Sequence, residues 1–348
     1  MTDRISELDQ EDKELYEHVR IVVDPKQKFL RIDKFLMNRI ENTSRNRIQN
    51  AITAGSVRVG GKEVKASYKV KPHDEITVVL PDPPRDTEVI PEDIPLNILY
   101  EDEDLLIVNK EAGMVVHPGY NNYTGTLVNA LAYHFSTLPS LPGNLGRPGL
   151  VHRIDKNTSG ILAIAKSEWA MTFLAKQFYD HSIKRQYIAL AWGDIEKDGT
   201  VTGYLGRSPR DRRVMKLYQE PDKGKWSVTH YQVLERLGYV TLIQCELETG
   251  RTHQIRAHMQ AIGHPLFGDV EYGGNKILKG TVFNKYRQFV ENSFQILPRQ
   301  ALHAHTLGFL HPKTKEYREF QVPLPQDFSS VLERWKAYVG TNENNIGN

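Results

Sequence analysis

Three prolines in four residues, Pro81-Asp-Pro-Pro84, divide this chain in two. Each proline fixes its own φ and offers no backbone donor, so the segment is a stiff, extended linker that neither a helix nor a central strand can cross. A length of 348 residues suits two or more domains. Before the linker the pattern is helical. Ile32, Phe35, Leu36 and Ile40 fall on one face of a helix. Thr43-Ser-Arg45 offers a second helix start, and Gly55 stands where a helix running from Asn46 to Ala54 would end. Ser56–Val59 and Glu63–Lys65 flank Gly60-Gly61, a hairpin signal, and Val70–Val79 supplies a last strand. After the linker, short apolar strands predominate: Leu105–Val108, Gly160–Ala165, Tyr187–Trp192, Ser227–Leu234, Val240–Glu246 and Thr314–Gln321, with a helix at Ala170–Phe178. Strands in runs with few helical crossovers favour α+β over a doubly wound sheet.

The near-neutral net charge hides an uneven distribution. From Arg20 to Glu75 there are 13 basic and six acidic residues, about +7, which suits a phosphate backbone. The first nineteen residues lean acidic and read as a solvated tail or frayed helix. Four stretches, Arg31-Ile-Asp-Lys-Phe-Leu36, Ser44-Arg45, Gly55-Ser-Val57 and Val59-Gly-Gly-Lys62, resemble the S-four RNA-binding domain in order and register. The resemblance implies RNA contact through Arg31, Lys34, Ser44, Arg45 and Lys62. The plainer alternative is a generic basic helical subdomain.

The second half carries the chemistry. In Gly149-Leu-Val-His-Arg-Ile-Asp-Lys-Asn-Thr-Ser-Gly160, Arg153 and Asp155 lie two apart, on one side of an extended segment. A lone carboxylate beside a cation at a strand end can act as an ionised nucleophile, although strings of this kind are usually surface ion pairs. Ile183-Lys-Arg-Gln-Tyr-Ile-Ala-Leu-Ala-Trp-Gly193 follows, where Tyr187 opens a buried strand and would ordinarily be a core aromatic with a wet hydroxyl. Then come Leu247-Glu-Thr-Gly-Arg-Thr-His-Gln-Ile-Arg-Ala-His-Met259, with a turn at Thr249-Gly250 and a helix from Thr252, and Gly263-His-Pro-Leu-Phe-Gly-Asp269.

In this order the stretches resemble the second and third motifs of the RluA-type pseudouridine synthases. Val108–Gly119 with Gly125–Leu131 is similar to the family's opening motif, and Arg299–Ala304 with Gly308–Pro312 to its closing strands. The likeness covers about residues 95 to 330. The departures are mild: Glu111 for a usual proline, Ile154 for leucine, Asn157 for an acid.

The resemblance implies the pseudouridine synthase fold, a mostly antiparallel mixed sheet with a central cleft. It implies that Asp155 is the catalytic aspartate, Arg256 its basic partner, Tyr187 a residue against the target base and Ile255 an apolar floor. Arg153 would fill the space left by an extruded nucleotide, and Arg251, ahead of the helix, would meet phosphate. Tyr187 can stack on uracil and move a proton. Asp155 could attack the sugar, add to the uracil ring or abstract a sugar proton. To act in any of these ways it needs its anionic form, which a guanidinium favours and desolvation opposes.

No cofactor or metal is expected. Cys245 is the only cysteine, which excludes an internal disulfide and a cysteine-based zinc site. His253 and His258 are five apart, off the spacing that places two ligands on one helical face. The basic stretch Gly206–Arg213 suits phosphate contact or plain solvation. With no long apolar run and no signal peptide, the expectation is a soluble, cytoplasmic monomer whose partner is RNA, with no membrane association.

The expected organisation is an acidic tail at 1–19, an S-four-like domain at 20–80, a linker at 81–91, a catalytic domain at 92–339 and a disordered tail at 340–348. The expected activity is isomerisation of uridines in RNA. Domain order and the Val-x-x-His-Pro-Gly element look most like the RluD-type branch, which implies large-subunit ribosomal RNA or a ribosomal precursor particle as substrate. The alternatives are transfer RNA or other ribosomal positions, and a non-catalytic ribosome assembly factor. A glycoside hydrolase would ask for two suitably spaced carboxylates, where Gly149–Gly160 and Leu247–Met259 offer only Asp155 and Glu248.

Overall fold

The computed structural model describes residues 16–40, 45–80, 89–119, 122–135, 138–139, 148–211 and 213–346. Its contacts divide it between Glu88 and Val89 into two units. Ser44, the prolines at 81–84 and residues 1–15 of the acidic segment lie outside the described residues.

The N-terminal unit comprises β1 (Tyr16–Val22), β2 (Leu30–Arg31), α1 (Ile32–Met37), α2 (Arg45–Thr53), β3 (Val57–Val59), β4 (Lys62–Glu63), β5 (Lys69–Val70) and β6 (Glu75–Leu80). The strands form an antiparallel sheet in the order β1-β6-β3-β4 and a separate β2–β5 pair. The apolar stripe read on α1 is buried: Ile32, Phe35 and Leu36 pack with Ile48 and Ile52 of α2 against Val57, Val70 and Ile76. Gly55, at φ +72°, ends α2, and the Ser56 amide reaches back to the Ala51 carbonyl.

Two expectations need correction here. Residues 16–19, read as tail, belong to β1, whose backbone pairs with β6 from Tyr16↔Leu80 to Val22↔Glu75. The strand read across Val70–Val79 is broken. Pro72 cannot donate, His73 takes a left-handed φ of +68°, and the Asp74 carboxylate accepts from the Lys71 amide at 2.7 Å, closing a turn.

The second unit comprises β7 (Ile98–Glu101), β8 (Leu105–Lys110), α3 (Leu127–His134), β9 (Ser159–Ala165), α4 (Glu168–Tyr179), β10 (Lys184–Trp192), β11 (Gly199–Arg207), β12 (Met215–Tyr218), β13 (Lys225–Leu237), β14 (Val240–Leu247), α5 (Gln254–Ala261), α6 (Asn284–Ile296), β15 (Leu302–Leu310), β16 (Tyr317–Gln321) and α7 (Gln326–Ile346). Its sheet runs β12-β11-β13-β14-β10-β15-β9-β8-β7, and β16 also pairs with β15. Every pairing is antiparallel except β15 with β9, so the sheet is mixed and mostly antiparallel, in an α+β fold. The parallel contact needs Gly160. At φ +118°, a Cβ there would lie 2.1 Å from the Ala304 carbonyl oxygen.

Alternation along the strands separates two faces. Leu106, Val108, Leu162, Ile164, Tyr187, Ala189, Ile243 and Cys245 pack with Leu127, Val128 and Leu131 of α3 and with Ile255 and Met259 of α5. Their neighbours point the other way. Leu105, Ile107, Ile161 and Ala163 meet α4, while Ile188, Leu190, Trp192 and Leu242 meet α6 and α7. Helix α7 continues to Ile346, so residues 340–346, read as a disordered tail, are helical. Among the described residues no helix is long and apolar enough to cross a membrane.

Candidate active site

On the α3/α5 face the sheet carries a cleft of about 600 Å³. Asp155, Tyr187, Arg256, Ile255, Arg153 and Arg251 all line it, so one site gathers residues from three separate stretches of sequence.

Asp155 opens a turn immediately before β9, in which the Thr158 amide donates to the Asp155 carbonyl at 3.1 Å. Two buried cations hold this turn by its carbonyls. Lys110, 2 % exposed, donates to the carbonyls of Glu111, Met114 and Lys156 at 2.6, 2.8 and 3.1 Å. Arg299 donates to the Asn157 carbonyl at 3.0 Å and clasps Asp327 with two bonds of 2.7 and 2.9 Å. The cage of carbonyls suits an ammonium, whereas burial and the charge of Arg299 push the Lys110 pKa down to about 7. Glu111 and Asn157 both serve this scaffold through backbone carbonyls, which explains why departures at their side chains are tolerable.

Arg256, on α5 and 4 % exposed, is the hub of the charges. Its Nε and Nη2 bind Asp269 at 2.7 and 2.8 Å, and Nη2 also meets Glu271 at 2.6 Å. Only Nη1 is left for the Asp155 Oδ2, at 3.2 Å. Burial disfavours this guanidinium's charge, but the bonds and charge of Asp269, with Asp155 and Glu271, outweigh it and raise its pKa. One guanidinium thus anchors three carboxylates. Asp155, 18 % exposed, is held through one oxygen, and its other oxygen has His253 Nε2 at 3.9 Å.

Helix α5 begins two residues later than the sequence suggested. His253 takes a left-handed φ of +53°, and the Gln254 side chain closes the turn by accepting from Thr249 Oγ1 at 2.8 Å and the Arg251 amide at 3.0 Å. This conformation carries His253 to the Tyr272 hydroxyl at 3.0 Å, and burial lowers its pKa.

Tyr187 lies on β10 between Cys245 of β14 and Ala304 of β15, at a register shift. Burial, reinforced by the Asp155 charge, pushes its hydroxyl up to about 12, so it is a phenol at neutral pH. Arg185, two residues earlier, is buried and donates to the Leu247 and Glu248 carbonyls at 3.2 and 2.8 Å. It ties β10 to the turn ahead of α5. Ile255 is 3 % exposed. Arg153 and Arg251 are exposed at the mouth, and Arg251 Nε donates to the Trp226 carbonyl at 3.2 Å.

Sequence reasoning missed His253 as a neighbour of Asp155, Asp269 and Glu271 as ligands of Arg256, and Lys110 and Arg299 as braces. Asp269 lay in a stretch singled out for other reasons. The two braces act across 46 and 142 residues, and no spacing rule reaches that far.

In the N-terminal unit, Lys34 and Lys62 are exposed. Arg31 and Arg45 are not free cations. Both donate to the buried Asp33, each at 3.1 Å through Nη2, and Gln49 adds a bond of 2.9 Å. Burial alone would raise the Asp33 pKa, but these bonds lower it far below the usual carboxylate range. Arg45→Ala is therefore expected to cost about 1.5–3 kcal/mol of stability, the worth of a hydrogen bond to a charged group, besides weakening RNA binding. Lys34→Ala should weaken RNA binding alone. Denaturant melts of the two variants decide it, and identical midpoints would refute the bracing role.

Residues 104–261 match the family model for RNA pseudouridylate synthase, and residues 30–76 match that of the S4 domain. An uncharacterized RNA pseudouridine synthase of Chlorobaculum parvum is 44% identical over 317 residues, covering 90% of this chain and 96% of that protein. The ribosomal large subunit pseudouridine synthase D of Zymomonas mobilis is 45% identical over 305 residues, covering 87% and 93%. Among solved structures, human RNA pseudouridylate synthase domain containing 1 aligns with a TM-score of 0.50 at 26% identity, over 71% of this chain and 96% of that one. The fold and these likenesses define an RNA-modifying isomerase with an appended RNA-binding domain. The chain belongs to the RNA pseudouridine synthases.

Proposed function

We propose that this enzyme converts chosen uridines of large-subunit ribosomal RNA to pseudouridine, with Asp155 as the group that acts on an extruded nucleotide. The observation that carries the reading is the single bond from Arg256 to Asp155, which anchors one carboxylate oxygen of a side chain that lines the cleft. Isomerisation detaches uracil from the ribose at nitrogen, turns it and rejoins it through carbon, so a stacked base must first leave the helix. Arg153, exposed at the mouth, fills the gap. Ile255 and Tyr187 form apolar and aromatic walls for the base, and Arg251 meets the backbone. In the N-terminal unit, Lys34, Lys62, Arg31 and Arg45, with Ser44, bind RNA. The name of the Zymomonas mobilis relative supports the ribosomal substrate.

The test incubates the purified chain with transcripts of large-subunit ribosomal RNA and of transfer RNA and maps pseudouridine in each. Product at discrete ribosomal positions is expected. Product only in transfer RNA would overturn the substrate, and none in either would overturn the activity.

The state of Tyr187 makes a separate expectation. A hydroxyl with a pKa of about 12 is not a free base at pH 7–9, so its part is to stack and to pass on a proton it already holds. Tyr187→Phe should keep RNA affinity, because the ring remains, and should slow product formation by a constant factor from pH 7 to 9. A rate ratio that climbs steeply with pH over that range would show instead that a phenolate acts.

A further inference from the structure

Around the mouth of the cleft, Arg153, Tyr179, His181, Gly250 and Arg251 are exposed, while Asp155, Tyr187 and Ile255 lie deeper. Tyr179 is 83 % exposed, a large aromatic ring presented to solvent at the rim of a site that takes RNA. A lone exposed aromatic means little by itself. What distinguishes Tyr179 is how firmly its backbone is held.

Tyr179 is the last residue of α4. Gln177, two residues earlier, locks the helix end to β15. Its Nε2 donates to the Leu310 carbonyl at 2.9 Å, and its Oε1 accepts from the Leu310 amide at 2.8 Å. Phe178 stacks on His152 with ring centroids 4.6 Å apart and planes 27° from parallel. His152 in turn accepts the Ala163 amide of β9 at 2.9 Å, and burial pushes its pKa down to about 3, so it is a neutral stacking partner. Beyond Tyr179 the chain turns sharply: the Ser182 amide returns to the Gln177 carbonyl at 3.0 Å, and His181 takes a φ of +57°. The residues on both sides are fixed while the ring itself projects freely. Such an arrangement loses little conformational entropy when a flat ligand lands on it. The His152–Phe178 stack also links Tyr179 to Arg153, because His152 is the residue before Arg153.

When a nucleotide leaves its stack, each neighbour loses a stacking partner, at a cost of a few kcal/mol. A rigidly mounted aromatic at the rim can replace that partner, and every base has a π-face to offer it. We propose that Tyr179 is the stacking platform for the nucleobase adjacent to the target uridine, and so a specificity-determining residue. The proposal rests on the cleft holding an extruded uridine, as proposed above.

The test measures kcat/KM of the full-length chain on a ribosomal stem-loop that carries the modified uridine, and on the same RNA made abasic at the nucleotide on either flank. Wild type, Tyr179→Phe and Tyr179→Ala are compared. On intact RNA, Tyr179→Ala should lose roughly 5- to 100-fold, the worth of one base–aromatic stack, and Tyr179→Phe should match wild type. On one of the two abasic RNAs wild type should fall by a similar factor, and Tyr179→Ala should lose nothing further. An equal Tyr179→Ala loss on all three RNAs, no loss on any, or a Tyr179→Phe defect as large as that of Tyr179→Ala would overturn the stacking role alone. No product from wild type on any RNA would overturn the functional reading and the stacking role with it.

Discussion

Asp155→Asn should remove at least roughly 1,000-fold of the isomerisation rate while leaving the melting temperature and RNA affinity close to wild type. Asparagine keeps the shape and can still accept the 3.2 Å bond from Arg256 Nη1 through its carbonyl oxygen. What it lacks is the anionic oxygen, and among the described residues that line the cleft no other carboxylate takes that place. Asp269 is fully buried behind Arg256, and Glu271 is bound to the same guanidinium. Single-turnover assays with saturating enzyme read the chemical step directly. Turnover within tenfold of wild type would remove Asp155 from the chemistry.

Arg256→Met should damage folding as well as catalysis. The variant would strand Asp269, 0 % exposed, without the two bonds that now neutralise it. Removing one partner of a buried pair typically costs 3–5 kcal/mol. In a domain of this size that is a fall of roughly 6–20 °C in melting temperature. Arg251→Met is the control, since Arg251 is exposed and makes one bond to a carbonyl. It should leave the melting temperature unchanged and weaken RNA binding. If Arg256→Met melts like wild type, or if Arg251→Met is the more harmful in single turnover with RNA binding intact, the hub is misassigned.

These two cases show what the sequence could and could not reveal. The α1 stripe of Ile32, Phe35 and Leu36, the Gly60-Gly61 hairpin and the apolar runs of β8, β9, β10 and β14 were legible, because burial writes its period into local sequence. Strand β1 was not, because its first residues, Glu17 among them, read as a solvated tail while its backbone pairs with β6. Helix α7 carried a readable stripe at Phe328, Val331, Leu332 and Trp335, which the polar residues after Gly340 obscured. The meeting of Asp155 with Arg256 could be inferred only from the family's motifs. That Arg256 divides itself among three carboxylates, or that Arg31 and Arg45 share Asp33, depends on side-chain geometry that no spacing rule conveys.

The most direct test maps pseudouridine across large-subunit ribosomal RNA from cells lacking this chain, complemented with either wild type or Asp155→Asn at matched protein levels. The account predicts that discrete uridines lose their modification in the deletion, regain it with wild type and stay unmodified with Asp155→Asn. Identical maps in all three strains, or full restoration by Asp155→Asn, would contradict it.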